Sequence, residues 1–543
     1  MTKTTRGARF YTAISTAALA LACAVPAFAQ DAAAEDDGAD AIVVTGSRIR
    51  GIAPVGSNVI AITTEKLAQE PVTSTNDLLR RVPQVVSLGA NRNGGSAQNG
   101  AANATRGAGI NLRGISTNAT LILYDGKRLP PQGTQGQYTD PSVIPPIALE
   151  RVEVVADGAS AVYGSDAIAG VVNFILRRNF DGVEMRARGG IAAGGFEEHQ
   201  ISAIVGKRWD TGSFMVAGEL THNSALLGHD LDFYQDDNRY RGGRDLRVTN
   251  CDTGTITASG KTYAIPAGGV TAANVSTLVA GTSNKCFYNA YDTVIPEQTR
   301  YNLIGNASQE LAPGVRVFAD GFYSYRKGWI GGLTNISATV RNTNPFFVTP
   351  VAGLTSVSVN WSLVPTNNGL DMNPYWGSSW NLSGGIEAQL MGDWKATAYY
   401  AHGESEDVAD RHVGVDTGAL NAALADTNPL TALNVFGGPN NPATIAKIRD
   451  RLFVITGRTR LDVANLQLDG SLVQLPGGAA KLAAGGEYRK EYTFTDLLSG
   501  QSTSPLSVKD AGSRTVKALF GELFVPIFGA DNAVPGFQQL SLS

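Results

Sequence analysis

From residue 181 onward, apolar and polar positions alternate with a period of two. Leu382, Gly384, Ile386, Ala388 and Leu390 fall on one face of an extended segment, with Ser383, Glu387 and Gln389 on the other. Trp394, Ala396, Ala398 and Tyr400 alternate with Lys395, Thr397 and Tyr399, and Leu466, Leu468, Gly470 and Leu472 alternate with Gln467, Asp469 and Ser471. Tyr488 points away from Glu487 and Arg489. Successive side chains of a strand face opposite ways, so the pattern predicts strands with one apolar face. A soluble sandwich has the same alternation, and the connections decide between the two. Asp210-Thr211-Gly212, Ala312-Pro313-Gly314, Gly392-Asp393 and Pro476-Gly477-Gly478 are tight, whereas the spans near 224–296, 327–379, 405–459 and 492–512 are long and polar. Short turns at one rim and long loops at the other are the plan of an outer-membrane barrel, with the short turns periplasmic. Trp329, Trp380, Tyr399 and Tyr400 fall near strand ends, where an interfacial girdle places aromatic rings.

Residues 40 to about 176 mix helix and strand signals. Val59-Ile60-Ala61-Ile62 reads as a short strand, followed by a turn of helix at Glu65–Gln69. Ser74-Thr75-Asn76-Asp77 has the form of a capping box opening Leu78-Leu79. The Gly- and Asn-rich span 89–109 reads as a loop. Leu121-Ile122-Leu123-Tyr124 runs into Asp125-Gly126, a tight-turn signal. Pro145-Pro146 opens a short helix, and strands follow at Arg151–Ala156 and Gly170–Leu176.

Composition sharpens the barrel reading. Only 17% of residues are charged, against about 25% in soluble domains. Glycine, 62 of 543 residues, is well above its usual share of about 7%. Beyond the N-terminus no run reaches the roughly 20 apolar residues of a membrane helix. Residues 1–29 read as a secretory signal peptide: Lys3, Arg6 and Arg9, an apolar core from Tyr11 to Val25, then Ala27-Phe28-Ala29 before the cut. The acidic segment 30–41 is expected to be disordered and periplasmic. A formal charge of −4 argues against a nucleic-acid partner. Cys251 and Cys286 remain after cleavage. They lie in a Gly/Thr/Ser-rich segment without an intervening histidine and are expected to form one disulfide in the oxidising exported compartment.

The residues of the mixed region resemble the plug domain of TonB-dependent outer-membrane receptors. The blocks are Asn111-Leu112-Arg113-Gly114-Ile115, Leu121-Ile122-Leu123-Tyr124-Asp125-Gly126-Lys127-Arg128, Ile147-Ala148-Leu149-Glu150-Arg151-Val152-Glu153-Val154, and Asp157 through Asn173 with Tyr163-Gly164-Ser165-Asp166. They occur in the family's order over roughly residues 41–178. The implied organisation is a signal peptide (1–29), an acidic segment (30–41), a TonB-box-like segment (42–46), a plug (47–178) and a membrane barrel (181–543). Ile42, Val43, Val44, Thr45 and Gly46 resemble the box, and a short β-branched run can add as an edge strand to a partner's sheet. The alternative is that these residues are simply the plug's first strand. With only 30–41 before the box, a signal-transducing domain is not expected.

Many relatives carry a basic residue after the Glu-Val-hydrophobic run, where this chain has Ala156. Arg113 and Arg151 are then the candidates for plug–barrel pairing with inward Glu387, Glu487 or Glu522. Intradomain salt bridges are the equal alternative for both. The fold class expected is a membrane β-barrel with an α+β N-terminal plug, holding about eleven antiparallel strands where a plugged transporter has about 22. A plug of about 135 residues, with a radius of gyration of about 14 Å, does not fit a much smaller barrel. Phe537-Gln538-Gln539-Leu540-Ser541-Leu542-Ser543 lacks the terminal aromatic residue that family barrels carry. The chain is therefore expected to be C-terminally truncated.

The resemblance implies import without chemistry: TonB, outer-membrane lipid and a small-molecule ligand as partners, and a monomer at full length. The ligand is an iron chelate, cobalamin, heme or an oligosaccharide. A passive pore or adhesin with a structural plug is the competing reading. No enzyme motif, cofactor or metal site is expected: Gly-x-Ser-x-Gly is absent, and His199, His222, His229, His402 and His412 are scattered. His222 and His229, near the proposed outer rim, read as solvated loop residues or as contacts for heme or a chelate. Trp329, Trp361 and Trp376 suit stacking on sugar rings or a chelate pocket equally.

Overall fold

The computed structural model describes residues 45–52, 58–63, 75–87, 104–157, 159–291, 293–332, 335–363, 371–412 and 414–543. The expected signal peptide, the acidic segment, residues 42–44, the helix at 65–69 and Ser74 lie outside them.

The described part of the plug is built on a five-stranded sheet with short helical turns, Thr75–Leu79 and Ser160–Tyr163 among them. Its elements are β1 (Val59–Thr63), α1 (Thr75–Leu79), β2 (Thr120–Tyr124), β3 (Lys127–Arg128), β4 (Leu149–Val155) and β5 (Gly170–Leu176), in sheet order β1-β4-β5-β2-β3. Strands β2 and β5 pair in parallel and the other pairs are antiparallel. Both parallel strands read as continuous apolar runs, TLILY and GVVNFIL, because both of their faces are covered. Asp125 and Gly126, at φ 46° and 77°, make the tight β2–β3 turn. Gly170, at φ 135°, admits no side chain: a Cβ there would stand 2.3 Å from the Val155 carbonyl oxygen. The plug core includes Leu112, Ile122, Val152, Val172 and Phe174. It continues into inward-facing Ile204, Met215, Ile304 and Phe322 of the second sheet.

That second sheet is an eleven-stranded antiparallel wall. It opens with β6 (Gly182–Ala192), β7 (Phe196–Trp209) and β8 (Gly212–Asn223). Two short strands, β9 (Thr255–Ala258) and β10 (Lys261–Ala264), leave it before β11 (Glu297–Ala312) and β12 (Val315–Gly332) rejoin. A hairpin of β13 (Asn335–Arg341) and β14 (Ser356–Ser362) again leaves the wall. The wall resumes with β15 (Asp371–Gln389) and β16 (Lys395–Arg411), followed by helices α2 (Thr417–Ala425) and α3 (Pro442–Arg449) outside it. It ends with β17 (Leu452–Leu475), β18 (Gly478–Gln501), β19 (Ser504–Phe528) and β20 (Leu540–Leu542). The order β20-β19-β18-β17-β16-β15-β12-β11-β8-β7-β6 is a simple up-and-down meander.

Burial in the wall is inverted relative to a soluble sheet. Asn302, Asp320, Arg326, Ser383, Asp407 and Asp469 are buried against the plug, while Val216, Leu303, Leu382, Ile386, Leu466 and Leu519 are exposed on the other face. The short turns fall where the sequence places them. Two expectations are corrected. Residues 492–512 are not a long loop: β18 and β19 run through them and leave only Ser502 and Thr503 between strands. Backbone pairing continues beyond the apolar band, where side-chain alternation no longer marks it. Tyr399 is not part of an outer girdle, because it faces inward with Lys127 Nζ 5.8 Å from its ring; its neighbour Tyr400 faces outward.

The other long spans are not mere polar loops. Strands β9, β10, β13 and β14 form one sheet, in order β10-β9-β14-β13. With α2 and α3 it encloses a separate core containing Ile256, Val340, Val359, Leu433, Phe436 and Ile448. Three segments far apart in the chain thus build one cap. Asp416 caps α2 by accepting from Ala419 N (2.6 Å), and Asn441 caps α3 by accepting from Ala443 N (2.9 Å). Cys251 and Cys286 are joined as a disulfide in this cap, with Cα atoms 5.7 Å apart. Trp361 is buried in the cap core, with its indole N–H donated to the Asp252 carbonyl (3.0 Å). It is therefore not an exposed stacking platform.

Candidate functional site

The functional geometry lies between plug and wall, and its first part holds the start of the described chain. Thr45 donates both its backbone N–H and its hydroxyl to Glu153 on β4 (2.8 and 2.6 Å). The same hydroxyl accepts from the Asn173 amide on β5 (3.0 Å). Thr45 and Gly46 form a turn rather than a strand. Next, the Ser47 hydroxyl and the Arg48 N–H both donate to Glu522 on β19 (2.9 and 2.6 Å). The Arg48 guanidinium stacks on Tyr163 of the plug and Phe520 of the wall, 4.7 and 4.5 Å from their centroids. Arg50 completes the clip on Asp469 of β17 (2.7 Å). Residues 45–50, the first two of which close the TonB-box-like segment, therefore tie two plug strands to two wall strands.

The second part is a buried hub. Arg326 on β12 donates to Asp140 (2.6 Å) and to the Thr105 carbonyl (3.0 Å), both in the plug, and to Asp407 on β16 (2.6 Å). Asp407 in turn accepts from the Thr105 hydroxyl (2.8 Å) and the Gly133 N–H (2.7 Å). One guanidinium thus bridges two buried carboxylates, whose oxygens also accept from plug N–H and hydroxyl groups, as buried ions require. The plug loop 131–138 lies against the wall beside this hub. Ser405 and Thr459 donate hydroxyls to the Pro131 carbonyl, and Thr495 donates to that of Thr134 (2.9 Å). Gly457 makes the approach feasible, since a Cβ there would stand 2.5 Å from the Thr134 backbone. Burial raises the Tyr138 phenol above its ordinary pKa.

The third part is a group of ion pairs. Lys127 pairs with buried Asp320 on β12, which Arg178 also reaches (3.3 Å). Burial lowers the Lys127 ammonium from its ordinary pKa, against the opposing pull of Asp320. Arg128 pairs with Asp166 in the plug (2.8 Å) and lies 3.6 Å from Glu487 on β18. Arg489 on β18 returns the contact to Asp166 (3.2 Å) while pairing with Glu487 (2.9 Å).

The candidate residues divide accordingly. Glu522 and Glu487 reach the plug, but through Ser47, Arg48 and Arg128. Arg151 pairs with Glu150 and Glu153 inside the plug. Arg113 donates to the carbonyls of Ala169 (3.2 Å) and Ile168 (3.0 Å), also within the plug. Its left-handed φ of 56° turns it back onto its own domain. Glu387 pairs with Lys395 on the neighbouring wall strand (2.7 Å). The pairing of Arg113 and Arg151 with wall glutamates is thereby corrected. Arg326, Asp320, Asp407 and Asp140 carry no local signal beyond being charges on an inward face or in a loop. Of the histidines, His199 and His222 meet as cross-strand partners on β7 and β8. His229 lies apart from them, with its ring on the Ala290 carbonyl (2.9 Å).

Residues 53–171 match the TonB-dependent Receptor Plug Domain family. Those residues carry the plug domain of that family, packed against an eleven-stranded antiparallel wall. Among solved structures the chain is similar to the ferric enterobactin receptor of Pseudomonas aeruginosa in complex with enterobactin, at 14% identity and TM-score 0.46, covering 86% of this chain and 60% of that one. The siderophore receptor of Acinetobacter baumannii matches at 16% identity and TM-score 0.39, covering 86% of this chain and 61% of that one. The ferric-catecholate import receptor of E. coli K12 matches at 12% identity and TM-score 0.41, with 86% and 67% covered. The chain spans about 60% of the length of the first of these structures.

Proposed function

We propose that the protein imports a scarce nutrient across the bacterial outer membrane, with TonB supplying the work. The observation that carries this reading is the clip at residues 45–50. The box-like segment ends in a turn at its own last two residues, Thr45 and Gly46, and the buried Thr45 hydroxyl there is bound to β4 and β5, so a pull on the segment acts directly on the plug's central strands. The outer membrane has no ATP of its own, and a mechanical handle joined to the obstructing domain meets that need. The apolar outer face and polar inner face of the wall suit a lipid-embedded barrel. Residues 1–29 serve export, and the protein acts as a receptor and not as an enzyme.

The ligand class is an iron chelate, cobalamin, heme or an oligosaccharide, taken up from the cap side. Removal of residues 40–46 is expected to abolish uptake while leaving ligand binding at the cell surface intact. Uptake that persists without them points to a passive pore or adhesin instead. Growth of a deletion strain on iron-limited against carbohydrate-limited medium separates the ligand classes.

A further inference from the structure

One turn of the plug is seated between two arginines of the wall. Asp140 caps a single helical turn, Pro141–Val143, by accepting from the Ser142 N–H (2.9 Å). The turn offers two acceptors to the wall. The Asp140 carboxylate takes Arg326 on β12 (2.6 Å), and the Ser142 carbonyl accepts from Arg300 (3.1 Å) and Asn302 (3.0 Å) on β11. Arg300 and Arg326 stand directly opposite one another in register. Like charges in that position repel, and the acceptors of the plug turn let them stand together.

Each arginine also has a wall carboxylate close by, but only Arg326 uses it. Arg326 pairs with Asp407 across β15 (2.6 Å), over Gly377, where a Cβ would stand 2.5 Å from the Asp407 carboxylate. Arg300 has its counterpart in Glu219 on β8. Glu219 is in register with Asn302 and Arg300 with Thr221, so the two charges are diagonal neighbours, about 7–8 Å apart along the backbone. They are not paired. Glu219 accepts from the amides of Gln200 (2.8 Å) and Asn302 (3.4 Å), while Arg300 donates to Ser142 and to the Gln298 amide (3.2 Å). Both side chains are buried. Opposite charges held apart by neutral groups, away from water, leave a strong attraction unused.

We propose that Arg300 is a two-position switch. With the plug seated it holds the Ser142 carbonyl, and when the turn 140–143 leaves the wall it swings to Glu219. The proposal rests on the import reading, in which the plug leaves its seat. After the exchange each of the opposed arginines keeps a carboxylate of the wall, Glu219 for Arg300 and Asp407 for Arg326. The new pair offsets part of what the wall loses with Ser142 and Asp140. Departure of this turn then becomes a change between two defined arrangements rather than a gradual loosening.

The test uses the protein purified from outer membranes in mild detergent, with hydrogen–deuterium exchange reading the spontaneous opening of the turn. The reporters are the amides of Val143, Ile144 and Ala148, which donate within this turn and the next. Exchange along β8 checks that the wall stays folded. Glu219→Gln keeps an acceptor for Gln200 and Asn302 and removes the charge that only the open arrangement uses. It is expected to slow exchange at the three reporters by about tenfold, the size of one hydrogen bond to a charged group. In an Arg300→Gln background the same change should have no effect, and Arg300→Lys, which keeps the cation, should restore the slowing. Arg300→Met serves in place of Arg300→Gln if that variant does not fold. A merely structural Glu219 predicts the opposite sign, and faster exchange in Glu219→Gln overturns the switch. Unchanged exchange overturns it as well, as does equal slowing with and without Arg300, which marks only the relief of a buried charge. Removal of residues 40–46 tests the import reading separately. Uptake that persists there overturns that reading, whereas uptake lost there, with no coupling between Glu219 and Arg300, overturns only the switch.

Discussion

Arg326 of the wall and Asp140 of the plug form a 2.6 Å ion pair in which both side chains are almost wholly buried, 4% and 0% exposed. Asp407, equally buried, takes the other end of the same guanidinium. Removing the arginine leaves two buried carboxylates without their cation, a change that costs about 3–5 kcal/mol at such sites. Arg326→Met is expected to lower the unfolding temperature in detergent and to speed amide exchange in residues 131–140. Unchanged exchange in that loop would mean that the hub does not hold the plug.

Thr45→Val keeps the shape of the clip and removes its hydroxyl, leaving buried Glu153 and Asn173 each short of a partner. An unmet buried polar group costs about 1–3 kcal/mol. A spin label at Ile52→Cys should become more mobile in the Thr45→Val background. The Glu522→Gln exchange, which keeps an acceptor for Ser47, should have the smaller effect.

Gly457→Val places a side chain where the Thr134 backbone already lies. Overpacking of this kind costs about 1–3 kcal/mol. Protease cleavage between residues 131 and 138 should increase, with the plug sheet itself unaltered. Cleavage equal to that of the unaltered protein would show that the loop does not need this contact.

Replacing Cys251 and Cys286 with serine opens a loop of sequence separation 35. Loop-closure entropy predicts a loss of about 3–4 kcal/mol in the stability of the cap. Faster exchange should appear in β9 and also in β14, its partner from a different segment of the chain. In the unaltered protein, neither thiol should react with an alkylating agent before reduction.

The wall and the plug sheet were legible in the sequence because their information is local. A period of two assigns each strand its faces, and an apolar run bounded by Asp125-Gly126 marks a hairpin whatever surrounds it. The same local grammar ends with the apolar band, so the extension of β18 and β19 through residues 492–512 escaped it. The cap escaped it for another reason. Its core is assembled from short segments, none of which buries enough surface alone to announce an element.

The amino-acid sequence alone determined that this is a plug followed by alternating strands, and which side chains face which way along most of them. Only the tertiary structure decided which charges meet. Arg326 and Asp140 stand 186 positions apart, and Thr45 and Glu153 stand 108 apart. Meanwhile Arg151, a good candidate for a wall partner, had a carboxylate two residues away in Glu153. Ion pairing falls steeply with distance, and distance between remote residues is set by strand register and the seating of the plug, neither of which leaves a local mark in the chain.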